Sequence, residues 1–210
     1  MHFIGVGTPQ KHRSHAANLS YVDMAVQSLL PYLCTGDHVV GKSTVPIGTA
    51  ARLADVIAAS GSGASLARNP GFLREGFAVK DTISPDRLVY GVPVGEAGIH
   101  ATELLNEVHA LALAADTPLI VTDYATAELV KVAANAFLAT KISFINSMSE
   151  IADVSGANVT ELADAIGFDL RIGRKFLSAG VGFGGGCLPK DIRASRPEPK
   201  SSAAVTRSPS

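Results

Sequence analysis

The residues of this chain best suited to chemistry stand near its C-terminal end, in GFGGGCLPKD, Gly182 to Asp191. Glycines let a backbone approach a ligand closely and adopt positive φ. A glycine run can therefore line a sugar or phosphate pocket and present the next side chain, Cys187, to a reacting carbon. A thiolate is the strongest ordinary side-chain nucleophile, and Lys190 nearby would lower the thiol's pKa. Asp191 could hold or deprotonate a water. The bland alternative is a glycine-rich loop with a buried thiol, and the pattern alone leaves both open. A second constellation lies in ELVKVAANAFLATK, where Lys131 and Asn135 stand at i and i+4. On a helix that spacing puts both on one face, here amid alanines and other apolar residues. A Lys and an Asn there are costly to bury without partners, and they suit the cationic and amide donors of an oxyanion hole. The alternative is a solvated helix edge.

These groups need elements to hold them. HFIGVG reads as a short buried strand, LSYVDMAVQSLLPYL as an amphipathic helix, DHVVGKST as a strand and GTAARLADVIAAS as another helix. ASLARNP, DRLVYGV and PLIVTD continue as strands, with GIHATELLNEVHALALAA a helix ending before Pro118. Such alternation predicts an α/β fold, a parallel sheet covered by helices. After Tyr124 the pattern changes to one helix near 30 residues long, with no proline or glycine to about Val154. Two shorter helices are expected after it, NVTELADAIG capped by Asn158 or Thr160 and RIGRKFLSAG with a glycine stop. The expected division is therefore 1–123 for the sheet, 124–192 for the helical part with its glycine-rich loop, and 193–210 for a Ser, Pro and Arg-rich tail that should be disordered. GVGTPQ and GSGASL each hold only the first two glycines of GxGxxG, so neither qualifies as a dinucleotide fingerprint.

Composition narrows the classes further. Hydrophobic residues make up 47% of the 210 residues, and 18 Lys+Arg against 19 Asp+Glu give a formal net charge of -1. That balance favours neither nucleic acid nor an anionic membrane as partner. No secretory leader and no apolar run of about 20 residues is seen, so a soluble cytoplasmic protein is expected. Cys34 and Cys187 are far apart, outside any CxxC pair or zinc spacing, and no metal is expected. His12 and His15 in KHRSH read as solvated, Cys34 as a small packed residue, and Lys141, His100 and His109 as helix residues needing no role.

Taken together, GKSTVPIGT, NPGFLREG, ELVKVAANAFLATK, FINSMSEIADVSGANV and IGFDLRIGRKFLSAGVGFGGGCLPKD resemble the UDP-glucose 6-dehydrogenase family of nucleotide-sugar dehydrogenases, in order, from about Phe3 to Ile192. The resemblance implies a Rossmann-like sheet and NAD as cofactor. It implies a four-electron oxidation of the C6 alcohol of UDP-glucose, or a related nucleotide sugar, through a thiohemiacetal and a thioester on Cys187. Lys131 and Asn135 would stabilise the oxyanion, and Asp191 would assist proton transfer and water. Thr8, Pro9, Thr44, Glu75 and Lys190 match cofactor-contacting positions. Phe72, Leu73, Arg74, Arg171, Leu177, Ser178, Gly180, Gly182, Phe183 and Gly184 match substrate-contacting ones. The long helix would pair two copies into a homodimer.

Departures from the family bear on activity. Gly71 stands where the family carries a glutamate implicated in thioester hydrolysis. The family's first βαβ unit, with its GxGxxG turn and the acidic residue for the adenosine ribose, has no counterpart before Met1. SRPEPKSSAAVTRSPS replaces the family's next helix and third domain. The sequence therefore predicts a chain truncated at both ends, its tail the product of a frameshift or a truncated gene. Two expectations follow: a working dehydrogenase completed by another chain, or a catalytically inactive fragment that retains dimerisation.

Overall fold

The computed structural model describes residues 1–12 and 16–182. Strands β1 (His2–Ile4), β2 (His38–Gly41), β3 (Ser65–Arg68), β4 (Leu88–Gly91) and β5 (Leu119–Thr122) form one sheet in the order β1-β2-β3-β4-β5. β1 pairs parallel with β2, β2 with β3, and β4 with β5. HVVG and LVYG are buried along their whole length, as parallel strands covered on both faces must be. The α/β fold read from the sequence is thus present, with one correction to an all-parallel sheet. β4 runs antiparallel to β3, meeting it at Arg68 and Gly91. The two strands pair at that one position, at the carboxyl end of each, and the connection between them holds a loop and the short helix α3 (Ala78–Ile83), for which the sequence gives no expectation.

Alternation along the strands feeds two cores. Val39 and Leu66 point to one face, where Val22 and Val26 of α1 (Ser20–Leu29) and Leu53 and Ile57 of α2 (Thr49–Ala59) cover them. Val40 and Ala67 point to the other, under Ala101 and Leu105 of α4 (Glu96–Val108) and Ala112 of α5 (Ala110–Ala114). The single helix expected over this last region breaks at His109, whose backbone leaves the helical range. Truncating a buried anchor such as Ile57 to alanine would cost about 2–5 kcal/mol.

Helix α6 (Tyr124–Ser155) is 32 residues long, about 48 Å at 1.5 Å per residue. Asp123 caps it by accepting from Thr126 N, and Gly156 ends it in the left-handed conformation. At Gly91 an added Cβ would lie 2.6 Å from Ala127 Cβ and 3.0 Å from Asp123 O, so the start of α6 reaches β4 only because no side chain intervenes. Helix α7 (Val159–Gly167) follows, with Asn158 rather than Thr160 as its cap. The further helix expected from Arg171 does not form. Gly173 and Phe176 both take positive φ there, and the segment is a series of turns. Lys141 is not idle: its Nζ donates to the carbonyls of Ile172 and Gly173 at 2.9 and 3.0 Å and ties those turns to α6. Cys34 is exposed rather than packed, and Leu33 beside it is the buried residue.

Candidate active site

At the carboxyl ends of β1 and β2 the backbone turns are laced together by hydroxyls. Thr8 Oγ1 donates to the carbonyl of Thr44 at 2.8 Å, and Ser43 Oγ donates to that of Val6 at 2.6 Å. Thr8 is buried, while Pro9 is exposed and its carbonyl accepts from Asn18 N. Three residues expected to meet the cofactor are thereby gathered where open α/β sheets bind ligands, outside the carboxyl ends of the strands. A Cβ added at Gly5 or Gly7 would meet nothing within 4 Å, so the backbone there faces open space that a flat ligand could occupy. Glu75 is exposed on the loop between β3 and α3.

Two other predicted groups are brought together directly. The Lys131 ammonium lies 5.2 Å from the centroid of the Phe72 ring, and the Arg87 guanidinium lies 4.0 Å from it. Asn135, one turn beyond Lys131, is buried and Lys131 half-buried, which removes the solvated-edge reading of this helix face. Leu73 is exposed, and Arg74 is engaged elsewhere: its backbone N–H and its Nε donate to Asp81 at 2.8 and 2.9 Å. Those bonds hold the Asp81 carboxyl down at about 2. Gly71, Phe72 and Leu73 line a cavity of about 90 Å³ with Lys42, Asn69 and His109. Lys42 donates to Asn69 Oδ1 at 2.7 Å, and burial pushes its ammonium below the usual lysine range.

A third group was not expected from the sequence. Glu128 of α6 accepts hydrogen bonds from Gly48 N at 2.7 Å and Ala50 N at 2.8 Å, at the start of α2. Arg68 Nε lies 3.9 Å from the same carboxylate, and Arg68 Nη2 donates to Ser43 O at 2.7 Å. At Gly41 a Cβ would overlap Arg68 Nη1, so that glycine leaves the lane along which the guanidinium runs. Burial raises the Glu128 carboxyl, opposed by the two N–H donors and Arg68, and burial lowers the Arg68 guanidinium. The available signal was spacing: Glu128 precedes Lys131 by three residues, on the same helix face.

The approach to the glycine-rich loop is also anchored on α6. Asn146 Oδ1 accepts from Gly180 N at 2.9 Å. Asn146 stands eleven residues beyond Asn135, close to three whole turns, and so shares its face. Gly182 has positive φ. Leu177 packs its side chain in a small core with Ile145 and Ala163, so a substrate role for it is confined to its backbone. Ser178 is exposed, and the exposed Arg171 pairs with Asp169 at 2.6 Å rather than with the groups around Phe72. Phe183, Gly184, Cys187, Lys190 and Asp191, and the tail expected to be disordered, lie outside the described residues. Among the described residues no three His, Cys, Asp or Glu gather as metal ligands, and no helix is long and apolar enough to cross a membrane.

The chain is similar to known proteins over most of its length. Residues 1–112 match the NAD binding domain of the UDP-glucose/GDP-mannose dehydrogenase family, and residues 125–203 match that family's central domain. A UDP-glucose 6-dehydrogenase of Rickettsia typhi is 44% identical over 192 residues, which are 91% of this chain and 43% of its own length. UDP-glucose 6-dehydrogenase TuaD of Bacillus subtilis is 43% identical over 195 residues, 91% of this chain and 41% of that protein. The structure of a UDP-glucose dehydrogenase from the hyperthermophilic archaeon Pyrobaculum islandicum superposes with a TM-score of 0.82 at 41% identity, covering 91% of this chain and 44% of that one. The chain thus spans under half the length of these relatives. With both of its family domains matched in order along one continuous sequence, the chain belongs to the UDP-glucose/GDP-mannose dehydrogenase family.

Proposed function

We propose that this chain carries the cofactor-binding part (1–123) and the catalytic helical part (124–192) of a UDP-glucose 6-dehydrogenase, which oxidises C6 of UDP-glucose or a related nucleotide sugar to a carboxylate. The observation that carries the reading is Lys131 set against Phe72, with Asn135 buried one turn on. NAD, when bound, accepts the hydride that leaves C6 in each of the two oxidations. The hydroxyl-laced turns at Thr8, Pro9 and Thr44, with open space over Gly5 and Gly7, fit such a planar group, and Glu75 and Lys190 join them in this reading.

The chain's own residues supply the rest. The Cys187 thiolate adds to C6 of the aldehyde, forming a C–S bond and leaving negative charge on oxygen. Lys131 and Asn135 donate hydrogen bonds to that oxygen, the stabilisation that most lowers such barriers. After the second oxidation a thioester joins sugar and Cys187. Water held by Asp191 attacks its carbonyl, the C–S bond breaks, the thiol takes back a proton and the sugar leaves as the acid. Phe72, Leu73, Gly180, Gly182 and Gly184 contact the sugar in this reading, and Arg74 and Arg171 reach it only by leaving Asp81 and Asp169. Gly71 contributes no carboxyl to the hydrolysis, so this last step is the slow one.

The partner in this reading is a second copy of the chain. Phe137, Phe144 and Ile151 recur every seven residues along α6 and are 64%, 45% and 59% exposed, the interval of a helix-pairing seam. A cytoplasmic location suits the free, exposed Cys34. The second reading, a pairing module without turnover, is favoured by Gly71. Assay of the chain with UDP-glucose and NAD separates the two. Acid should form with the natural chain, and Cys187→Ser should stop the reaction at or before the aldehyde. Acid from Cys187→Ser at the unsubstituted rate would refute the assignment.

A further inference from the structure

Glu128 is 1% exposed, and a carboxylate so buried requires compensation. The compensation comes from other parts of the chain. Both carboxylate oxygens are used, one by Gly48 N and one by Ala50 N, and Arg68 supplies the nearby positive charge. Arg68 also reaches Ser43 O, and Thr8 reaches Thr44 O. The segment from Ser43 to Ala50 is therefore gripped at four backbone groups, two of them by one side chain of α6. Three residues along that helix, on the same face, stands Lys131.

We propose that Glu128 is a positioning residue: with Arg68 it locks the Ser43–Ala50 segment, which carries Thr44, to the turn of α6 that carries Lys131, and so fixes the cofactor relative to the reacting carbon. The proposal rests on the reading that Thr44 meets the cofactor and Lys131 the substrate oxygen. A carboxylate suits the task because it accepts two N–H groups at once while neutralising a buried guanidinium. An amide in its place turns one acceptor into a donor facing a backbone N–H, and it leaves the Arg68 charge unpaired.

The test uses the full chain with Glu128→Gln and Glu128→Asp, the second retaining charge in case the first fails to fold. NAD affinity is read by calorimetry, turnover by NADH formation, and backbone mobility by amide hydrogen exchange. For Glu128→Gln, NAD affinity and kcat should each fall about tenfold or more, the scale of a lost hydrogen bond to a charged group. Exchange should quicken together at 43–50 and at 128–135, with Glu128→Asp between the two. Faster exchange confined to Gly48 and Ala50, with NAD affinity and kcat unchanged, would reduce Glu128 to a helix cap and overturn the proposal. An unsubstituted chain that neither binds NAD nor turns over would contradict the functional reading instead. The exchange pattern alone would then decide the positioning role.

Discussion

At Gly71 a side chain would find room. The nearest heavy atom to an added Cβ is Leu73 Cγ at 3.9 Å, and the backbone has no positive φ to forbid one. If the missing carboxyl is what slows thioester hydrolysis, Gly71→Glu should raise steady-state turnover by about 100-fold or more, the scale of one general acid or base, unless another step becomes limiting first. It should also abolish any early burst of NADH, and rapid-mixing kinetics reads both. An unchanged burst and rate would show that hydrolysis does not wait on this position. Individual site residues were legible in the sequence to the extent that chemistry is local. Lys131 and Asn135 could be placed on one face from spacing alone, but not their surroundings: the Phe72 ring that meets Lys131 arrives from a distant loop, and Asn135 is buried in the folded chain. Glu128 escaped notice for the same reason. Its partners, Gly48, Ala50 and Arg68, belong to elements far away in sequence.

The loop after β3 illustrates what elements add. Residues 70–77 are fastened to α3 by Asp81, which accepts from both the backbone and the side chain of Arg74. These bonds take the carboxyl from the ordinary 3.8 to about 2, and a carboxyl with a depressed folded pKa stabilises the fold above its unfolded value. That contribution is lost as pH falls from about 4 toward 2. Chemical denaturation across this window should show the loss, and Asp81→Asn should remove that part of the pH dependence. A titration curve identical in the two proteins would contradict the role given to Asp81. Long periodic elements were plain in the sequence, α6 above all, although its Asp123 cap and Gly156 stop emerge only in the structure. The short α3, the break at His109 and the turns after Arg171 were not. Six residues give too little periodicity, and Gly173 and Phe176 carry the chain through left-handed backbone that no hydrophobic pattern reports.

Over the whole molecule, one sheet and one long helix divide the work. The sheet gathers the turns at Thr8 and Thr44, and α6 lines up Lys131, Asn135 and Asn146 while leaving Phe137, Phe144 and Ile151 uncovered. If that seam pairs two copies, Phe144→Asp should shift the chain from dimer to monomer in sedimentation analysis, because two buried carboxylates would face each other across it. A dimer of undiminished strength would place the interface elsewhere. The alternation of strands and helices predicted the α/β class, but not the reversal between β3 and β4, which meet at one pair of residues that no local pattern marks. A two-step oxidation carried by Lys131 and Cys187 fixes the NADH formed per UDP-glucose consumed, which is measured on the purified, folded chain. Two NADH should form per sugar, and the rate should fall about 100-fold or more in Lys131→Ala. No NADH from the folded chain, or a Lys131→Ala variant as fast as the natural one, would contradict this chemistry.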